Sequence, residues 1–233
     1  MLTLLRHDTP FPPVAQALRE PNGLLAAGGS LDAQRLLEAY RHGIFPWFNA
    51  GEPILWWSPD PRMVLFPEEF KMSRSLRKTL RHKDYEIRTD SAFEQVMRAC
   101  AAPRDGQGTW INEDMITAYT ELHNMGVAHS VETWINGQLA GGLYGISIGR
   151  MFYGESMFSH RPNASKIALA HLCAQLARWD FEMIDCQMST PHLAALGARE
   201  IPRAEFIQRL KVLIHYPNSP LTWHFNHHPE NRS

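Results

Sequence analysis

The dipeptide Asn136-Gly137 constrains this chain more than any other feature. It separates residues 128–135, which alternate as a strand does, from residues 138–148, which continue as the return strand. An Asn-Gly pair readily takes the left-handed backbone of a tight hairpin turn, whose twist matches that of the strands it joins. An antiparallel hairpin is therefore expected, and the chain reads on from it. A third strand is expected over residues 151–158, then a helix that Asn163 or Ser165 can cap. In that helix Leu169, Leu172, Cys173 and Leu176 form one apolar stripe. A short strand over 182–187 and a short helix over 192–196, closed by Gly197, complete the series.

The first half is less regular. Residues 1–60 are rich in Pro, Gly and Trp and show one short helix. Ser30 can cap it, Leu31, Leu36, Leu37 and Tyr40 give it helical spacing, and Gly43 stops it. The run GIFPWFNAGEPILWWSPDP over 43–61 holds too many prolines for a regular element. A basic amphipathic helix follows, with Met72, Leu76 and Leu80 every four residues and Arg74, Arg77, Lys78 and Arg81 on other faces. A strand over 85–89, a helix over 92–100, the loop PRDGQGTW and a helix over 112–125 ending at Gly126 lead to the hairpin. Hairpin, strand, helix, strand, short helix is the order found in acyltransferases of the GNAT-like fold, an analogy of topology that says nothing of the reaction.

Composition narrows the function classes. The 233 residues are 44% hydrophobic and 20% charged, enough for an ordinary buried core. A formal net charge of -1 provides no global field for a polyanion. The local balance differs, because residues 71–83 contain Lys71, Arg74, Arg77, Lys78, Arg81 and Lys83 without one acid. Surface helices normally mix signs to gain pairs one turn apart, so this run points to phosphate binding. Cys100, Cys173 and Cys186 lack the number and spacing of a disulfide framework or a structural zinc site. The N-terminus breaks at prolines before any signal-peptide core forms, and no stretch reaches the ~18 apolar residues of a membrane helix, so a cytoplasmic location is expected. No phosphate-binding P-loop, G-x-G-x-x-G, H-E-x-x-H or G-x-S-x-G occurs, and His224, His227 and His228 lie in a polar tail where histidines are usually inert.

Two clusters stand out as candidate chemistry. On a strand Asp185 and Gln187 share one face while Cys186 points away, and a carboxylate and amide so placed are costly unless something polar meets them. Helix capping or backbone bonding accounts for them as well as a site does. Glu155 is an acid within the apolar strand GESMF, where Gly154 can admit a backbone or ligand. Beside Asp185 it would form an acidic cleft able to receive a cation. Trp56, Trp57 and Trp134 read as packing, whereas Trp47 and Trp110 lie on loops and are either core or stacking platforms for a nucleobase.

The segments LREPNGLLAAGGSL, YRHGIFPWF, ILWWSPDPR, GTWI, GLYGISIG, GESMFS, NASKIAL and IDCQ together resemble the leucyl/phenylalanyl-tRNA–protein transferases over almost the whole chain. The resemblance implies an α+β protein with a small N-terminal domain over 1–62. A GNAT-like catalytic domain with a mixed, mainly antiparallel sheet would follow over 63–233. It implies transfer of leucine or phenylalanine, less readily methionine, from aminoacyl-tRNA to proteins beginning with Arg or Lys, which creates an N-terminal degradation signal. Trp47 and Trp110 correspond to the family's adenine-stacking tryptophans and Tyr40 to a nearby aromatic. The aminoacyl pocket falls on Leu143, Phe152, Met157, Leu172, Leu176 and Ile184, and the catalytic positions on Glu155, Asp185 and Gln187. Leu172 and Leu176 stand where a relative carries phenylalanine, which alters pocket volume.

The chemistry can also be argued directly. An aminoacyl ester is already activated, so no cofactor or metal is expected. A protein α-amine with a pKa of ~7.7–8.0 is partly neutral at pH 7. Orientation, proton removal and oxyanion stabilisation remain, with Gln187 holding the amine, Asp185 orienting Gln187, and Glu155 with Asp185 favouring a cationic acceptor. The basic run, Arg74, Arg77, Lys78, Arg81 and Lys83, then meets tRNA phosphates. A CoA-dependent acetyltransferase is the first alternative, but SHRPNASK lacks the glycine turn that grips a pyrophosphate. A non-catalytic nucleic-acid module is the second, and it leaves the three polar residues without a task. No heptads or long apolar edge occur, so a monomer is expected.

Overall fold

The computed structural model of the chain describes residues 2–82, 84–102, 110–218 and 223–225. The N-terminal part comprises β1 (Thr3–Leu5), β2 (Leu24–Gly28), α1 (Ala33–Arg41), β3 (Phe45–Pro46) and β4 (Leu55–Trp57), whose strands form one sheet in the order β1-β2-β4-β3. The chain then passes to β5 (Arg62–Leu65), α2 (Arg74–His82), β6 (Glu86–Thr89), α3 (Phe93–Ala101) and α4 (Glu113–Asn124). After these come β7 (Ala128–Ile135), β8 (Gln138–Ile148), β9 (Met151–Ser159), α5 (Ala164–Arg178) and β10 (Met183–Gln187). The last elements are α6 (Pro191–Ala195), β11 (Arg199–Ile201) and α7 (Arg203–Leu213).

A second sheet orders its strands β11-β5-β10-β9-β8-β7-β6. Among the described residues only β9 and β10 run parallel in it, and the other neighbours are antiparallel. The fold is thus α+β with a mixed, mainly antiparallel sheet, and the expected order of hairpin, strand, helix, strand and short helix is present. Asn136 and Gly137 have φ of 52° and 72°, and Ile135 faces Gln138 across the turn. Parallel neighbours need a long crossover. Here it is α5, which lies on one face of the sheet with α2 while α3 and α4 cover the other. Alternation, shifted by one residue at a bulge midway along the strand, divides β9 between the two cores: Phe152 and Met157 pack with α5, whereas Tyr153 and Phe158 pack with the residues of α1, α3 and α4.

Several local expectations need correction. Asp32, not Ser30, caps α1 by accepting from the Arg35 amide at 2.9 Å, and the Ser30 hydroxyl bonds Asp32. Asn163 stands at the N-cap position of α5 but makes no side-chain capping bond, and Ser165 lies within the helix. Asn163 sits in the left-handed region and reaches Ser75 and Thr79 of α2, while Ser159 Oγ accepts from the Ser165 amide at 2.9 Å. The proline-rich run at 43–61 does contain strands: β3 lies at the sheet edge, where Pro46 is tolerated, and β4 fits between the prolines and holds none. Strands β1, β2, β5 and β11 and helix α7 were not expected; most are too short for a period to show.

Candidate active site

The site forms where β9 and β10 part. Their ladder holds for three rows, Met183–Met151, Ile184–Phe152 and Asp185–Tyr153, while β9 runs on to Ser159. Two bulges flank the opening. Between β8 and β9 the register passes from Tyr144–Ser156 to Gly145–Gly154, making Glu155 the extra residue. Between β10 and β5 it passes from Asp185–Val64 to Gln187–Met63, making Cys186 the extra one. Bulges re-aim side chains, and here they overturn simple alternation. Gln187, at φ 63°, lines the same cavity as Cys186, while Asp185 turns to the opposite side. The glycine that the first bulge requires is Gly145, whose added Cβ would strike the Tyr153 carbonyl and the Phe152 ring; at Gly154 a Cβ would meet only ordinary contacts.

The cavity has a volume of ≈ 400 Å³. Leu143, Phe152, Met157, Leu172 and Ile184 line it, joined by Leu65 and Leu169. Leu176 does not line it; it is fully buried in the same apolar cluster. Polar groups gather on the remaining wall: Glu155, Gln187, Thr190 and His192. An apolar cavity with a few convergent polar groups is the usual form of a small-molecule site.

Glu155 is the focus of those groups. Its Oε1 accepts from the Tyr40 hydroxyl at 2.8 Å and from Gln187 Nε2 at 2.9 Å, and its Oε2 accepts from the Tyr119 hydroxyl at 3.2 Å. The two tyrosine hydroxyls also touch each other. Burial pushes the Glu155 carboxyl up to about 7, nearby Asp185 adds to the rise, and the three hydrogen bonds restrain it. Burial first, then the Glu155 charge, holds the Tyr40 and Tyr119 phenols well above their ordinary value, so both remain donors. His192 lies at the rim with its pKa lowered by burial and by Lys166.

Asp185 is placed differently from the expected acidic cleft. It is fully buried, and Arg62 grips it with Nε to Oδ1 at 2.8 Å and Nη2 to Oδ2 at 2.7 Å. It is paired there and lines no part of the cavity, so among the described residues Glu155 is the one carboxyl presented to it. Asp185 Oδ1 also accepts from the Gln187 backbone amide at 2.9 Å. Sequence reasoning missed Arg62 and Tyr119. Arg62 ends the quoted segment ILWWSPDPR, but a partner 123 residues away leaves no local signal.

The structure does not bring Trp47 or Trp110 into the cavity wall. Trp47 is 37% exposed on the loop after β3, edge-on to Trp57 at 5.4 Å, and Trp110 is half-buried just before α4. Arg74, Arg77, Lys78, Arg81 and His82 surround a shallow recess on α2, whose Leu76 and Leu80 are buried. Lys83, His227 and His228 lie outside the described residues, as does most of the loop before Trp110. Among the described residues no group of three or more His, Cys, Asp or Glu could hold a metal ion, and no helix is long and apolar enough to cross a membrane.

Residues 64–211 match the leucyl/phenylalanyl-tRNA protein transferase family, and residues 29–60 match the N-terminal domain of the same enzymes. The chain belongs to this family. The leucyl/phenylalanyl-tRNA–protein transferase of Nitrosomonas europaea is 66% identical over 227 residues, covering 97% of this chain and 96% of the relative. That of Nitrosospira multiformis is 65% identical over 228 residues, covering 97% and 98%. Family membership makes the chain an aminoacyltransferase that moves leucine or phenylalanine from tRNA to protein. Likeness to solved structures is slight. A conserved protein of unknown function from Staphylococcus epidermidis gives a TM-score of 0.42 at 11% identity, over 77% of this chain and 68% of that one. A GCN5-related N-acetyltransferase-like protein from Streptococcus suis gives 0.31 at 13%, over 72% and 64%. Neither carries an argument.

Proposed function

We propose that this enzyme transfers leucine or phenylalanine, and less readily methionine, from aminoacyl-tRNA to the α-amine of proteins beginning with Arg or Lys, leaving an N-terminal degradation signal. The supporting observation is a largely apolar cavity that ends on one carboxyl held at about 7. Leu143, Phe152, Met157, Leu172 and Ile184 receive the aminoacyl side chain, placing its ester beside Glu155 and Gln187. A cavity admitting both leucine and phenylalanine discriminates weakly, since a methylene is worth only ~1–3 kcal/mol.

The reaction needs no activation. The amine nitrogen bonds to the ester carbonyl carbon, the bond to the ribose oxygen breaks, and the proton lost from nitrogen ends on that oxygen. A carboxyl near pH 7 is matched to an amine of ~7.7–8.0, so Glu155 takes the proton and returns it to the ribose. Its negative form also favours a cationic acceptor. Gln187 aligns the amine, and Asp185 acts by holding Gln187. Trp47 and Trp110 serve the terminal adenosine while Tyr40, close to them in the family, holds Glu155, and the basic residues of α2, with Lys83 next in sequence, bind tRNA phosphates without reading sequence. Among the described residues Arg74, Arg77 and Lys78 form no ion pair, which leaves them available to phosphate. The reaction takes place in the cytoplasm, where charged tRNA is found.

Incubation with an Arg-initiated peptide and either labelled leucyl-tRNA or labelled acetyl-CoA tests this reading. Label should reach the peptide from tRNA alone. Transfer from acetyl-CoA, or to peptides regardless of their first residue, would refute it.

A further inference from the structure

We propose that Arg62 is a positioning residue for aminoacyl transfer, acting through Asp185 to aim the Gln187 amide into the cavity; this rests on the role given above to Glu155 and Gln187. Arg62 opens β5 and is 1% exposed, and its guanidinium is fixed on every side. Two nitrogens fork onto Asp185, and Nη1 donates to the Gly43 carbonyl at 3.1 Å. The Phe45 and Phe206 rings lie against it, 4.8 and 4.6 Å from centroid to Cζ. Such a planar fork holds a carboxylate in one orientation, which a lysine cannot do.

That orientation decides what Gln187 does. Asp185 Oδ1 accepts at once from Arg62 Nε and from the Gln187 backbone amide, 2.8 and 2.9 Å away. Gln187 sits at φ 63°, a left-handed conformation that Asn and Asp adopt locally but a glutamine keeps at a cost that its surroundings must offset. The Asp185 bond is the observed constraint. Held there, Gln187 directs Nε2 to Glu155 Oε1 at 2.9 Å. Four residues from β5, β10 and β9 therefore form one line, from a guanidinium locked in the core to the carboxyl at the cavity. An ion pair serving stability alone would not have to end on the residue that turns into the site.

The test is Arg62→Lys, which keeps the charge and loses the fork. Single-turnover transfer from leucyl-tRNA to an Arg-initiated peptide is measured with melting curves and leucyl-tRNA affinity. The rate constant should fall at least tenfold while affinity and acceptor KM stay within twofold. The acid limb of the pH–rate profile should move to higher pH, because Glu155 loses a restraining donor. Arg62→Lys placed on Gln187→Ala should slow that variant no further, since the two act as a unit. If Arg62→Lys does not fold, Phe206→Leu, which removes one ring from the guanidinium, should show the same changes in smaller degree. A folded variant with wild-type rate and an unmoved limb overturns the proposal, as does full additivity with Gln187→Ala. Wild-type protein that moves no label from leucyl-tRNA would instead overturn the transfer reading, and this inference with it.

Discussion

Replacing Glu155 by glutamine should stabilise the folded protein above neutral pH while changing it little in acid. Glu155 is buried, and its carboxyl rises from 4.5 to about 7. A carboxyl so raised binds its proton more tightly in the folded chain than in the unfolded one. Its contribution to stability is complete below pH 4.5 and is lost as pH rises through about 7. At ~1.36 kcal/mol per pH unit, the rise corresponds to ~3 kcal/mol of stability lost by pH 8. Glutamine does not titrate, and the Tyr40 and Tyr119 hydroxyls can turn to suit its amide. The difference between Glu155→Gln and wild type should therefore grow from ~1 kcal/mol at pH 5 to ~3 kcal/mol at pH 8. For a chain of this size that difference at pH 8 is ~6–12 °C in Tm. Urea denaturation of both proteins at each pH measures it, and the same variant should lose most of its transfer activity. A stability difference that stays constant across this range would refute both the buried-carboxyl argument and the proton-accepting role derived from it.

Wild-type transfer should rise with pH through about 7 in single-turnover assays, as Glu155 loses its proton. Trp47→Ala should leave the melting curve nearly unchanged, because the ring is partly exposed, yet weaken binding of an aminoacyl-adenosine by ~1–3 kcal/mol in titration calorimetry. Charge reversal at Arg77 and Arg81 should weaken leucyl-tRNA binding and flatten its salt dependence, while aminoacyl-adenosine, which lacks the phosphates, binds as before. Cys186 lines the cavity with a thiol that burial pushes far up, so iodoacetamide at pH 8 should label it slowly, as mass spectrometry would show.

The later strands were legible because their signals are local. Asn136-Gly137 defines its own hairpin, and the Leu169, Leu172, Leu176 stripe needs only a helix to become a buried face. The first sheet was not legible, since strands of two to five residues between prolines carry no period. The candidate site was readable as residue types but not as geometry. Alternation places Asp185 and Gln187 side by side, and only a bulge, invisible in sequence, separates them. Arg62, Tyr119 and Tyr40 reach the site from 36 to 123 residues away, through tertiary contacts alone. Leu176 fits the helical stripe as well as Leu172 does, and nothing short of the packed structure tells wall from interior.

Asn163 joins two tasks that the fold could have kept apart. From the start of α5 it holds Ser75 and Thr79 on α2 at 3.3 Å, and α5 carries Leu169 and Leu172 to the cavity. If α2 grips the nucleic acid as proposed, the gripping helix is clasped to a helix that lines the cavity for its cargo. On that proposal the grip rests on phosphates and is indifferent to which tRNA it holds. A tRNA carrying the wrong amino acid would then be held as firmly as a correct one, and the fit of that amino acid against α5 would decide whether transfer follows.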